Sequence, residues 1–273
     1  AQESRGLGDV YKRQLMDVVI APEAQIGEIV ADDIAALIAA RPDAVLGLAT
    51  GSSPLRIYDA VAERVERGEL SLARARGFML DEYVGLPLGH PCRYSAVIDE
   101  DFVSRVDLAP GAVRGPDGDA ADLDAACAGY EKAIRDAGGV DLQILGIGTD
   151  GHIAFNEPGS SLASRTRVKT LTAQTREDNA RFFGGDVDAV PYHCLTQGLG
   201  TIMDARRIVL VATGEAKAEA VAQLVEGAVS ARWPATILQH HRRVTVLVDD
   251  AAASRLALAE YYRHTQANRH LVS

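Results

Sequence analysis

A chain of 273 residues, 47% hydrophobic and 24% charged, has globular composition and length for one large domain or two small ones. No apolar run is long enough to span a bilayer and no basic-then-apolar start marks a secretory leader, so no membrane partner is expected. The net charge of −10 repels phosphate backbones and argues against nucleic acid, while a small anion still fits wherever local cations and helix N-termini override that field.

Residues 1–15 are polar and Gly-rich without a period. A strand pattern begins at Met16-Asp17-Val18-Val19-Ile20, so 1–15 is expected to be an extension that need not be native, and 16–273 a single domain. Ile26, Ile29, Val30, Ile34, Leu37 and Ile38 recur at helical spacing. Residues 44–49 form a short apolar run, read as a buried strand. Pro54 stands where a helix would begin, and Ile57, Tyr58 and Val61 continue it. A strand is predicted at 78–80, a helix over 94–103, a Gly/Pro-rich connector at 111–118 and a helix over 119–137, with Asp122 and Asp124 suited to its first turns. Further strands are predicted at 142–147, 168–171, Ile208–Ala212 and Val244–Val248, the last two each followed by an Ala-rich helix. Strands alternating with helices predict an α/β fold, a mainly parallel sheet with helices on both faces. Cys92, Cys127 and Cys194 are odd in number and lack C-x-x-C spacing, which reads as reduced thiols in a cytoplasmic protein.

Four unusual segments leave the C-terminal ends of predicted strands, where open parallel sheets bind ligands. Gly51-Ser52-Ser53-Pro54 can cradle a phosphate with hydroxyls and helix N–H groups, though taken alone it reads better as a capped strand-to-helix turn. Asp81-Glu82-Tyr83 sets two acids at a strand end, where a carboxylate held in place could take a carbon-bound proton or merely be solvated. The run from Asp150 to Pro158 holds Asp150, His152 and Glu157 around a glycine bend. That set suits proton shuttling and is a poor match for zinc, having no second histidine. Lys217 stands at a helix start, unfavourable for the dipole unless an anion sits there. The stretch Ser164-Arg165-Thr166-Arg167-Val168-Lys169-Thr170, followed by Arg176 and Arg181, is a solvated face, a second anion site or a mobile cover.

On these residues the chain resembles the glucosamine-6-phosphate deaminase (glucosamine-6-phosphate isomerase) family. The strongest segments are Leu80-Asp81-Glu82-Tyr83-Val84-Gly85-Leu86, the run from Gly146 through Gly148-Thr149-Asp150-Gly151-His152 to Phe155-Asn156-Glu157-Pro158, and Ser160-Ser161-Leu162-Ala163-Ser164-Arg165-Thr166-Arg167. The resemblance implies a Rossmann-like fold, no cofactor, no metal, and conversion of glucosamine 6-phosphate to fructose 6-phosphate and ammonia. It implies that Asp81 moves a proton between C2 and C1, and that His152 assists ring opening, tuned by Asp150 and Glu157. Gly51, Ser52, Ser53, Arg181 and Lys217 would hold the phosphate, with Arg181 on a mobile lid near 171–183. Ser160, Arg167, Lys169 and Thr170 match positions that bind N-acetylglucosamine 6-phosphate as an effector in regulated members, and the family includes homo-oligomers. The rival is 6-phosphogluconolactonase, of related fold and with a Gly-x-Asp-Gly-His type motif. Phe155-Asn156-Glu157-Pro158 and Asp81-Glu82-Tyr83-Val84-Gly85 favour the deaminase.

Overall fold

The computed structural model describes residues 16–268; the expected extension at 1–15 lies outside them. The chain runs β1 (Met16–Ile20), α1 (Glu23–Ala40), β2 (Val45–Leu48), α2 (Leu55–Glu66), β3 (Arg76–Met79), β4 (Asp81–Tyr83), α3 (Tyr94–Asp101), β5 (Val113–Arg114) and α4 (Leu123–Asp136). It continues with β6 (Leu142–Leu145), β7 (Arg167–Thr170), α5 (Ala173–Asn179), β8 (His193–Thr196), α6 (Leu199–Met203), β9 (Ile208–Ala212), α7 (Ala218–Glu226), β10 (Val244–Val248) and α8 (Ala259–Ala267). Seven strands make one sheet in the order β1-β10-β9-β6-β2-β3-β5, and every neighbouring pair is parallel. No helix among the described residues is long and apolar enough to cross a membrane.

Strand order places the helices. From β1 the chain steps in one direction to β2, β3 and β5, then reverses to β6, β9 and β10. Parallel crossovers are right-handed, so α1, α2 and α3 cover one face, and α4 and α7 the other. The direction of winding switches between β2 and β6, which lie side by side, and a crevice opens beyond their C-terminal ends. Both strands are buried along their whole length, as strands covered on two faces must be. In α1, Ile26, Val30, Ile34 and Ile38 return every four residues and are all buried. Asp122 caps α4 by accepting from the Ala125 amide at 2.9 Å, so that helix begins at Leu123 rather than at 119.

The structure corrects the sequence reading in two further places. First, β4, β8 and β7 form a separate antiparallel sheet in the order β4-β8-β7. The Asp81 segment is therefore a strand rather than a loop, and the strand predicted near 168–171 belongs to this small sheet. Second, no Ala-rich helix directly follows β10. Asp249 accepts from the amides of Ala252 and Gly214, which folds 249–255 into turns and delays α8 to Ala259.

Candidate active site

A cleft of about 590 Å³ lies at the switch point. Its walls include Thr50, Gly51, Ser52 and Ser53 after β2, Asp81 on β4, Gly146, Gly148, Thr149 and His152 after β6, and Lys217 at the start of α7. Arg181, in the short 3-10 segment Ala180–Phe183, lines its mouth. All five predicted phosphate-binding residues thus meet in one cavity with Asp81 and His152.

The phosphate side is built from the backbone outward. Tyr58 on α2 both donates to the Ala49 carbonyl, at 2.7 Å, and accepts from its amide, at 3.1 Å, fixing the end of β2. Gly51 has a φ of +91°, a turn that a side chain would resist. It leads into the first turn of α2, which has no side-chain cap and leaves amides for an anion. Burial holds the Lys217 ammonium below its usual range; Asp178 opposes that shift, Arg181 adds to it and Asp150 opposes it. A dianion between Arg181 and Lys217 would relieve the repulsion between them.

On β4, successive side chains point to opposite faces, and the two adjacent acids part company. Glu82 turns away from the cleft. Its carboxylate accepts from the amides of Tyr83, Tyr94 and Ser95, each at 2.9 Å, and so caps the N-terminus of α3. Asp81 lines the cleft and is only 5% exposed. Burial, and then the Glu82 charge, raise its carboxyl well above the ordinary aspartate range. Tyr83, Tyr94 and Phe155 pack against one another and also line the cleft.

Asp150, His152 and Glu157 occupy the loop after β6. His152 lines the cleft, and the two acids sit behind it. Asp150 Oδ1 lies 2.8 Å from His152 Nδ1 and accepts from the His152 amide at 3.1 Å. Glu157 Oε2 lies 3.8 Å from the same ring nitrogen, on a residue only 1% exposed. The Asp150 contact lies off the N–H direction, so His152 Nδ1 and Glu157 Oε2 are both buried without an aligned hydrogen bond. Burial alone would raise Asp150; hydrogen bonding to His152 and its charge outweigh that and hold the carboxyl at about 2. The three donor atoms lie within 4.8 Å of one another, close enough to hold a cation. Asp150 Oδ1 and His152 Nδ1, at 2.8 Å, are closer than the roughly 3.3 Å at which a tetrahedral ion would hold two such ligands.

Thr196 ties Asp81 to the loop that carries His152: it pairs with Asp81 across the small sheet, and its hydroxyl accepts from the Phe155 amide at 3.1 Å. The four predicted effector residues lie outside the cleft. The Ser160 hydroxyl donates to the Glu157 carbonyl at 2.7 Å, and Arg167 donates to Asn156 Oδ1 at 3.0 Å. Thr170 Oγ1 is 3.1 Å from His193 Nδ1, and Lys169 is half-buried on β7. The sequence reading missed the aromatic wall of Tyr83, Tyr94 and Phe155. It also missed Asn179, whose amide donates to the Tyr83 hydroxyl at 3.0 Å, joining the end of α5 to β4. Tyr83 and Phe155 lie within the quoted motifs, so their motif membership was the available signal.

The sequence profile of the family described as glucosamine-6-phosphate isomerases/6-phosphogluconolactonase matches residues 21–247. The chain is 71% identical over 251 residues to a glucosamine-6-phosphate deaminase of Mycolicibacterium smegmatis, covering 92% of this chain and 96% of the relative. It is 72% identical over 253 residues to one of Beutenbergia cavernae, covering 92% and 97%. A solved structure of a monomeric glucosamine-6-phosphate deaminase superposes with a TM-score of 0.85 at 42% identity, over 88% of this chain and all of that one. The 6-phosphogluconolactonase of Thermotoga maritima superposes at 0.67 with 20% identity, over 86% of this chain and 98% of that one, a likeness of fold alone.

Proposed function

We propose, from the premise that this chain belongs to the glucosamine-6-phosphate isomerase/6-phosphogluconolactonase family, that it isomerises and deaminates glucosamine 6-phosphate to fructose 6-phosphate and ammonia. The observation that carries the reading is a buried carboxylate and a histidine–carboxylate relay facing one cleft that also holds a cationic anion cradle. The Gly51, Ser52 and Ser53 loop, Arg181 and Lys217 hold the phosphate. His152, oriented by Asp150 and Glu157, moves the proton from the C1 hydroxyl to the ring oxygen and opens the sugar. The aldehyde acidifies the C2 hydrogen, and Asp81 takes it as a proton to give the enolate of the enolamine. Asp81 returns that proton to C1 and one amino proton passes to O1, leaving an imine at C2. Water adds to C2, the C–N bond breaks and ammonia leaves. Positioned acid–base groups contribute about 10²–10⁴-fold each, and phosphate anchoring supplies the orientation. No nucleotide or metal enters these steps.

Residues 16–273 serve as one cytoplasmic domain in this reading. Ser160, Arg167, Lys169 and Thr170 serve as an effector site for N-acetylglucosamine 6-phosphate. The reading is supported by Ser160 and Arg167 both touching the segment that carries Glu157. Assay with and without that sugar, beside a solution mass, tests the effector role and homo-oligomer formation together. The main reading predicts that purified protein releases ammonia from glucosamine 6-phosphate with no added metal or nucleotide. Hydrolysis of 6-phosphogluconolactone with the amino sugar left intact would overturn it.

A further inference from the structure

Residues 230–236 carry none of the acid–base groups, yet they grip the catalytic loop at two points. The Ala235 amide donates to the Gly151 carbonyl at 2.9 Å, and the Ala231 carbonyl accepts from the Gly159 amide at 2.7 Å. Asp150 adjoins the first grip, and His152 and Glu157 lie between the two. The half-buried Trp233 ring packs against Gly151, where a Cβ would meet its Cε3 at 2.6 Å. The gripping segment is braced internally. Thr236 is fully buried; its hydroxyl accepts from the Ser230 amide at 2.9 Å and donates to the Trp233 carbonyl at 2.7 Å.

The catalytic loop needs such support. Gly151 has a φ of +83°, and Ala154, with a φ of +49°, is a non-glycine residue in the left-handed region. Such backbone persists where its surroundings over-determine it. The relay atoms His152 Nδ1 and Glu157 Oε2 are also buried without aligned partners, so they contribute little to holding the loop.

We infer that residues 230–236 are a clamp on the catalytic loop, and that Trp233 and Thr236 are positioning residues for the His152 relay. The inference rests on the activity proposed above. The clamp acts through backbone hydrogen bonds and one ring contact, not through contact with the sugar. No hydrogen bond joins it to the 51–53 loop or to the Lys217 side chain among the described residues, so loosening it disturbs proton transfer while sparing phosphate binding.

The test compares Trp233→Ala, Thr236→Val and Thr236→Ser with the unmodified enzyme. For the first two, kcat for ammonia release should fall about tenfold or more, because small misplacements of catalytic groups are costly, with KM within about twofold. Thr236→Ser keeps the hydroxyl and should restore kcat. In histidine-labelled protein, the His152 ring signals, assigned by their loss in His152→Asn, should move in both damaging variants, while those of His90 and His193 stay. Should Thr236→Val fail to fold, Trp233→Ala, at a half-buried position, carries the comparison. Unchanged kcat and unmoved His152 signals would overturn the clamp, as would a KM effect with kcat intact. A Thr236→Ser variant no better than Thr236→Val would remove the hydroxyl from the account. If the unmodified enzyme releases no ammonia, the activity reading fails, and the His152 signals still decide for or against the clamp.

Discussion

In the proposed reaction Asp81 is the base, and it is placed where its charge is disfavoured. Burial and Glu82 raise its carboxyl, so it accepts a proton more readily than a solvated aspartate, and the same desolvation burdens the fold. The sign can be worked out on both counts. Catalysis needs the carboxylate, so kcat/KM should fall as pH drops through the raised value, an acid limb above the usual aspartate range. Stability runs the other way. An acid whose folded-state pKa is raised contributes stability that is present below the unfolded value and lost as pH rises through the folded one. Asp81→Asn keeps the neutral form, so it should abolish C2 proton exchange while melting higher than the unmodified enzyme at neutral pH. The difference in Tm should shrink on acidification. Retained exchange into solvent would take Asp81 out of its role; a lower Tm at neutral pH would show that its burial costs nothing. The residue type and its place after an apolar strand were legible in the sequence. Which of the two neighbouring acids faces the cleft was implied only by the family resemblance, because it depends on a strand pairing that composition and spacing do not display.

Pairing of β4 with β8 aims Asp81 at the cleft and sends Glu82 to the N-terminus of α3. Strands β4, β8 and β7 have three or four residues each and mix polar or charged with apolar positions, so none gives the continuous apolar run that marked the large parallel sheet. The clamp at 230–236 was equally hidden: its grips are backbone N–H and C=O groups, which every residue carries. The role of Glu82 is testable at this scale. Glu82→Gln places an NH2 group among three backbone donors that one carboxylate now satisfies. Leaving buried donors unmet costs about 1–3 kcal/mol. For a chain of this size each kcal/mol moves Tm by about 2–4 °C, so a loss of several degrees is expected. Activity should fall as well, since α3 and β4 shift together. An unchanged melting curve would show that the three amides find other partners.

At the scale of the molecule, the site is a product of the seam where β2 and β6 meet. The proposed anion cradle at 51–53 follows β2 and the proposed relay, from Asp150 to Glu157, follows β6, so the register of that pair sets the distance between phosphate and acid–base groups. Its packing is tight. Gly47 faces the fully buried Gln143, whose amide donates to the Ile144 carbonyl at 2.9 Å. A Cβ on Gly47 would meet Gln143 Oε1 at 2.0 Å and its Nε2 at 2.5 Å. An amide held by burial and a hydrogen bond has little room to swing away, so the added methyl pushes the strands apart. Overpacking of this kind costs about 1–3 kcal/mol. Gly47→Ala should therefore lower Tm and also reduce kcat/KM, because the cradle and the relay no longer hold one substrate at both ends. Adding Gln143→Ala to the same chain removes the obstruction. Thermal melts of the two single variants and the double variant then distinguish the causes. A double variant more stable than the sum of the single losses places the strain at the seam, as residues in direct contact couple. Simple additivity would instead locate the damage in the backbone of β2, and the seam would not govern the spacing of the site.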